Sequence, residues 1–160
     1  MKHKVFIGLG SNLGNREGHL AGAVERFSGK LKVINSSGIY ETDPWGFEDQ
    51  PNFLNLAVEV QTDLEPDELL VFLKGIENEM GREETFRYGP RCIDLDILLF
   101  DDLVYTSKAL TIPHPAMEVR TFVLVPLKEI APDQIHPVLQ KSITELADRI
   151  GSRGVKEYRK

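Results

Sequence analysis

Cys92-Ile93-Asp94-Leu95-Asp96-Ile97-Leu98-Leu99-Phe100 is apolar at every position except Asp94 and Asp96. Such a run, closed by a turn at Asp101-Asp102, reads as a central strand. Working back from it, Pro66 suits a first helical turn, Leu69, Leu73, Ile76 and Met80 make an apolar stripe, and Gly81 stops the helix near Glu77. Before that helix, Phe53 to Gln61 alternates: Leu54, Leu56, Val58 and Val60 take one face and Phe53, Asn55 and Ala57 the other. Further upstream, residues 31–40 suggest a strand and residues 15–28 a helix striped by Leu20, Ala23, Val24 and Phe27. Lys4 to Leu9 reads as a buried strand that breaks into a tight loop at Gly10-Ser11-Asn12. The order is strand, helix, strand, strand, helix, strand, so the expected fold is α+β with a ferredoxin-like βαββαβ core. Downstream, the core is expected to carry an added hairpin, a Pro-containing loop, 107–116, lies between sheet and helices, and helices at 121–130 and 142–150 cover remaining apolar surface.

The period of a strand puts Asp94 and Asp96 on one face, roughly 6–7 Å apart at their backbones. Two carboxylates set in an apolar strand repel each other and lose hydration, and a cation between them compensates. Oxygen ligands without His or Cys favour magnesium, which completes its shell with water and substrate phosphates. Acids facing water or bonded to nearby arginines are the alternative. Arg82, Arg87 and Arg91 lie on the loop leading into the strand, and a guanidinium matches phosphate oxygens with two-point hydrogen bonding. Tyr88-Gly89-Pro90 restricts the approach to Arg91.

Gly8-Leu9-Gly10-Ser11-Asn12-Leu13-Gly14 is not a dinucleotide fingerprint, because its third glycine falls one position late, and no Walker Gly-Lys-Ser/Thr is present. It reads as a turn and helix cap. Phe53 and Asn55 offer an aromatic face and an amide together, which suits either a flat heteroaromatic ring or a second protein layer. His114, between two prolines, is a ligand contact or an ordinary loop histidine. Trp45, just after Pro44, closes over a substrate or anchors its own loop by packing.

A chain of 160 residues with 41% hydrophobic and 28% charged content supports one domain, 1–160, with a single sizeable core. A net charge of −6 argues against nucleic-acid binding. One cysteine excludes an internal disulfide, and neither a signal segment nor a membrane-length apolar run is present, so a cytoplasmic protein with no membrane partner is expected. A monomer is expected, with a dimer left open.

Four separated motifs, in order, resemble the 6-hydroxymethyl-7,8-dihydropterin pyrophosphokinase family of folate synthesis. They are Gly10-Ser11-Asn12-Leu13, Asp49-Gln50-Pro51-Asn52-Phe53-Leu54-Asn55, Gly89-Pro90-Arg91-Cys92-Ile93-Asp94-Leu95-Asp96 and Thr111-Ile112-Pro113-His114. The resemblance implies two magnesium ions on Asp94 and Asp96, and ATP as co-substrate, with AMP as leaving product. It implies catalytic roles for Arg82, Arg91, Asp94 and Asp96, and an ATP site of Glu77, Arg82, Arg91, Ile97, Thr111, His114 and Arg120. It also implies a pterin site of Thr42, Pro44, Trp45, Phe53, Asn55 and Phe122, with the ring between Phe53 and Phe122. Glu83-Glu84-Thr85-Phe86 lacks an arginine that the family pattern carries, Tyr88 replaces a tryptophan, and Ala109 replaces a basic residue for which Lys108 is a substitute. The rival readings are a palm-type nucleotidyltransferase, which releases pyrophosphate rather than AMP, and a nucleotide-binding regulatory domain.

Overall fold

The computed structural model describes residues 2–44, 49–81 and 92–158. Strand β1 (His3–Ser11) and helix α1 (Arg16–Glu25) are followed by β2 (Leu31–Ser36), β3 (Tyr40–Thr42), β4 (Phe53–Thr62), α2 (Pro66–Glu79) and β5 (Asp94–Phe100). A small hairpin of β6 (Tyr105–Thr106) and β7 (Thr111–Ile112), helices α3 (Thr121–Ile130) and α4 (Ile143–Ile150), and β8 (Val155–Glu157) complete the order. The main sheet runs β5-β1-β4-β3-β8, with β2 also paired to β4, and every pairing is antiparallel. The first, third and fourth core strands are thus β1, β4 and β5. The expected second strand is split into β2 and β3, which lie end to end along β4. This is the ferredoxin-like arrangement with its second strand broken.

The break falls at Ser37. Its backbone N–H donates to Ala57 O at 2.9 Å, while its hydroxyl accepts from Ala57 N at 2.9 Å. A side chain that takes the place of a ladder carbonyl ends regular pairing there.

Alternation in the strands builds a core on each face of the sheet. Val5, Ile7, Leu9, Leu54, Leu56, Val58, Val60, Leu95 and Ile97 pack under α1 and α2 through Leu20, Ala23, Phe27, Leu69, Leu73 and Ile76. Burying each such side chain contributes about 1.5–3 kcal/mol. The opposite face carries Phe6, Ala57, Leu98 and Leu99, covered by Leu124 and Leu127 of α3 and Ile143, Leu146 and Ala147 of α4. Adjacent Leu98 and Leu99 share that face because the β1–β5 register shifts between Phe6 and Ile7, a β-bulge. Each helix starts where its sequence says it should. Asn15 Oδ1 accepts from Gly18 N at 3.1 Å, and Ser142 and Glu145 exchange side-chain to backbone bonds at 3.1 Å in a capping box. Gly81, at φ +79°, ends the α2 segment.

Strand β1 runs through Gly8 and Gly10 to Ser11. The tight loop expected at Gly10-Ser11-Asn12 therefore begins only after Ser11, and the helix cap is Asn15. Strand β8 was not anticipated.

Candidate functional site

The second core covers only part of its sheet face. Beyond Phe6 and Ala57, β1 continues on this face with Gly8 and Gly10, β4 with Asn55 and Phe53, and β5 with Asp96 and Asp94. In register, Asp96 and Ala57 flank Gly8, while Asp94 and Asn55 flank Gly10. Both carboxylates therefore share a face, as their spacing requires, and that face is opposite buried Leu95 and Ile97. Asp96 is exposed and Asp94 half-buried. Between the acids and Asn55 stands a strand with no side chain, which opens a floor about one strand wide.

Gly10 is needed for that floor. A Cβ there would lie 2.6 Å from Asn55 Nδ2 and 3.5 Å from Phe53 Cδ1. The Asn55 amide thus lies across β1, held by the Thr42 hydroxyl, which donates to Asn55 Oδ1 at 2.6 Å, and by Leu9 O, which accepts from Nδ2 at 3.4 Å. Thr42 is buried and stands opposite Phe53 on β3; Pro44, half-buried, follows it. The residues before Phe53 are fastened to the end of β1: Asn12 Nδ2 donates to Gln50 Oε1 at 2.8 Å and to Pro51 O at 2.9 Å. Arg16 Nη1 adds donations to Glu41 at 2.9 Å and to Asn52 O at 3.0 Å.

Strand β5 is the sheet's edge, so its outward backbone groups need partners. Glu77, 5% exposed, reaches from α2 and accepts from Leu95 N at 2.9 Å. A carboxylate on the amide between the two aspartates pins the strand that carries them. His114 N donates to Leu98 O at 3.0 Å, which draws the exit of the β6–β7 hairpin onto the same strand. His114 Nδ1 accepts from Ala116 N at 3.3 Å. Burial pushes the imidazole below its usual range, against the Asp96 carboxylate, which raises it, and the Arg120 guanidinium, which lowers it further. The neutral ring must then carry its proton on Nε2, a donor suited to a phosphate oxygen. Arg120 stands with its guanidinium carbon 5.5 Å from the centre of the Phe122 ring, at the start of α3. Thr111 is exposed on β7.

The site face thus carries Thr42, Phe53, Asn55, Asp94 and Asp96 together, with Phe122 and Arg120 on the helix that covers its neighbouring core. The Ile97 side chain is buried in the other core, so only its backbone can meet a ligand. Arg82, Arg87, Tyr88, Arg91 and Trp45 lie outside the described residues. Gly8 and Gly10, read from the sequence as part of a turn and helix cap, lie in β1 instead, and Glu77's bond to Leu95 was not anticipated. Glycine at alternate positions of an apolar strand, facing a strand with alternate acids, was the available signal.

Residues 6–132 match the family described as 7,8-dihydro-6-hydroxymethylpterin-pyrophosphokinase. A 2-amino-4-hydroxy-6-hydroxymethyldihydropteridine pyrophosphokinase of Aquifex aeolicus is 46% identical over 141 residues, 88% of each chain. The protein of the same name from Bacillus subtilis is 50% identical over 132 residues, covering 81% of this chain and 79% of that one. Among solved structures, wild-type HPPK-DHPS of Plasmodium falciparum with pteroate superposes with a TM-score of 0.78 over 96% of this chain at 20% identity. The present chain spans 43% of that longer one, and the likeness speaks for the fold. With the family matched across most of this chain and two relatives covered over 88% and 79% of their own length, this chain belongs to the 7,8-dihydro-6-hydroxymethylpterin-pyrophosphokinase family.

Proposed function

We propose that the protein transfers the pyrophosphoryl group of ATP to the hydroxymethyl oxygen of 6-hydroxymethyl-7,8-dihydropterin in the cytoplasm, releasing AMP, as a step in tetrahydrofolate synthesis. The observation that carries this reading is the shared floor of Gly8 and Gly10, with two carboxylates on one side and a fixed amide on the other. A polyphosphate belongs at one end and a flat hydrogen-bonding ring at the other.

Asn55 is preset for the ring. Its amide offers a donor and an acceptor in one plane, and the Thr42 hydroxyl fixes which end is which. Phe53 on the sheet and Phe122 on α3 supply apolar faces for stacking. At the other end, Asp94 and Asp96 fit magnesium: they are oxygen donors on one face, one exposed and one half-buried, and among the described residues no group of three or more His, Cys, Asp and Glu offers a site for a softer ion. Two magnesium ions held there would neutralise the polyphosphate and orient its β-phosphorus. His114 Nε2–H, Arg120 and Thr111 would hold phosphate and nucleoside groups, joined by Arg82 and Arg91. The Leu95 N–H points off the edge of β5 to Glu77, and strand alternation directs the backbone of Ile97 off the same edge. A purine edge can be read there without its side chain, and Glu77 contributes by holding that edge.

The chemistry is a displacement. The pterin hydroxyl oxygen forms a bond to the β-phosphorus while the bond from that phosphorus to the α,β-bridging oxygen breaks, and AMP leaves with that oxygen. The hydroxyl proton passes to Asp96 or to solvent. The side chains' main contribution is to position both substrates and to set donors against developing charge. The test is chromatographic measurement of AMP and pterin diphosphate from protein, ATP, magnesium and the pterin. Equal yields that require both metal and pterin support the reading, whereas pyrophosphate release would point to nucleotidyl transfer.

A further inference from the structure

Helix α4 and strand β8 lie beyond residue 132, where the family match ends. Yet β8 reaches back to the ring end of the floor. Val155 pairs with Thr42, Lys156 with Glu41 and Glu157 with Tyr40. Asp43 N donates to Gly154 O at 2.9 Å, and Tyr158 N donates to Ile39 O at 2.9 Å. The three-residue β3 is therefore bonded along its whole length, by β4 on one side and β8 on the other.

The same turn also touches α3. Arg153 O accepts from Thr121 Oγ1 at 3.2 Å. Thr121 opens α3 between Arg120 and Phe122, and no side chain caps that helix end, so its hydroxyl is committed to the turn. Consecutive carbonyls, those of Arg153 and Gly154, thus tie together two elements that supply residues of the proposed ring slot. One is β3 with Thr42, and the other is α3 with Phe122. Gly154 adopts φ +79°, and a Cβ there would sit 3.0 Å from Asp43 Oδ2. Any other residue would strain the turn and press on Asp43.

We propose that the Arg153-Gly154 turn with β8 is a positioning element for pterin binding, which sets where Thr42, and the Asn55 amide it holds, stand relative to the Phe122 face. This rests on the pterin reading of the slot. The acid end, on β5, lies at the opposite edge of the sheet from β8, with β1, β4 and β3 between them, so the element acts on one substrate.

The test is calorimetric titration of the full chain, with magnesium and an ATP analogue carrying a methylene between the α- and β-phosphorus, first alone and then saturating while the pterin is titrated. Gly154→Val should weaken pterin binding at least 5-fold and change analogue binding less than 2-fold. Thr121→Val, which removes one hydroxyl and strains nothing, should weaken pterin at least 2-fold with the same selectivity, and it decides the matter if Gly154→Val does not fold. Unchanged pterin affinity, or parallel weakening of both ligands, overturns the proposal. Asn55→Ala is the control. If it abolishes pterin binding while Gly154→Val binds normally, the turn is mere scaffold and the slot stands. If Asn55→Ala binds pterin normally, the slot itself is misplaced and the proposal falls with it.

Discussion

Gly10→Ala tests the floor of the site with one methyl group. The new Cβ would stand 2.6 Å from Asn55 Nδ2, at least 0.8 Å inside the 3.4 Å where ordinary contact begins. The obstacle is the end of a side chain, so the fold yields by moving the amide rather than the strand. A shift of that size stretches the 2.6 Å bond that Thr42 donates to Asn55 to as much as 3.4 Å and takes Nδ2 off Leu9 O, already 3.4 Å away. Weakening the buried pair costs up to about 1–3 kcal/mol, the cost of an unsatisfied buried group. Alanine offsets about 0.4–1 kcal/mol of this by restricting the unfolded chain, since the strand conformation suits it. The net loss of stability should be about 1–2 kcal/mol. Pterin binding should suffer more selectively, because two ring-edge hydrogen bonds worth about 0.5–1.5 kcal/mol each are misaligned, a roughly 5- to 150-fold weakening. Calorimetric titration of the pterin, with thermal melting alongside, reads both quantities. In an Asn55→Ala background the same glycine substitution should weaken binding no further. Pterin affinity within 2-fold of wild type in Gly10→Ala would refute the reasoning, because the amide would then have moved without consequence.

Asp96→Asn, at an exposed position, should leave the melting temperature within a few degrees and abolish metal-dependent AMP release; normal turnover would remove the proposed metal site. Glu77→Ala should expose the Leu95 amide, destabilise the fold by about 1–3 kcal/mol and speed hydrogen exchange at Leu95, whereas Glu77→Gln, which keeps an acceptor, should retain protection. Equal exchange in both variants would count against the pin. His3 hydrogen-bonds Asp101 at 2.7 Å and Glu65 at 2.6 Å, tying β1 to the end of β5 and the start of α2. The Asp101 bond chiefly, with Glu65 assisting and burial opposing, raises the imidazole above its ordinary 6.5. The folded protein therefore binds this proton more tightly than the unfolded chain. The resulting stability is fully present below pH 6.5 and is lost as pH rises through the raised folded value. Denaturant midpoints across that window should fall for wild type and stay flatter for His3→Gln; equal slopes would remove His3 as the cause.

What was legible in the sequence was what strict periodicity encodes. The two-residue spacing of Asp94 and Asp96 put both on one face, and the alternation of Phe53 to Gln61 put Phe53 and Asn55 together. Apolar stripes located α1 and α2, and Pro66 the start of α2, because both signals act locally, although α1 ends at Glu25 rather than 28. The misread parts depend on partners distant in sequence. Gly10-Ser11 looks like a turn because glycine carries no strand preference, yet β4 and β5 hold it extended on both sides. The second strand breaks where the Ser37 side chain substitutes for the ladder. The three residues of β8 have no pattern of their own and are strand only because β3 offers an edge. Ile97, assigned to the ATP site by motif position, keeps its place in the proposed site through its backbone, because the alternation that presents Asp96 turns its side chain into the opposite core.

The most direct test of the central claim is to incubate the purified protein with ATP, magnesium and 6-hydroxymethyl-7,8-dihydropterin, and to quantify AMP and pterin diphosphate together. One AMP per pterin diphosphate, with neither formed when metal or pterin is withheld, is the predicted result. Folded protein that binds ATP and pterin but yields neither product would contradict it.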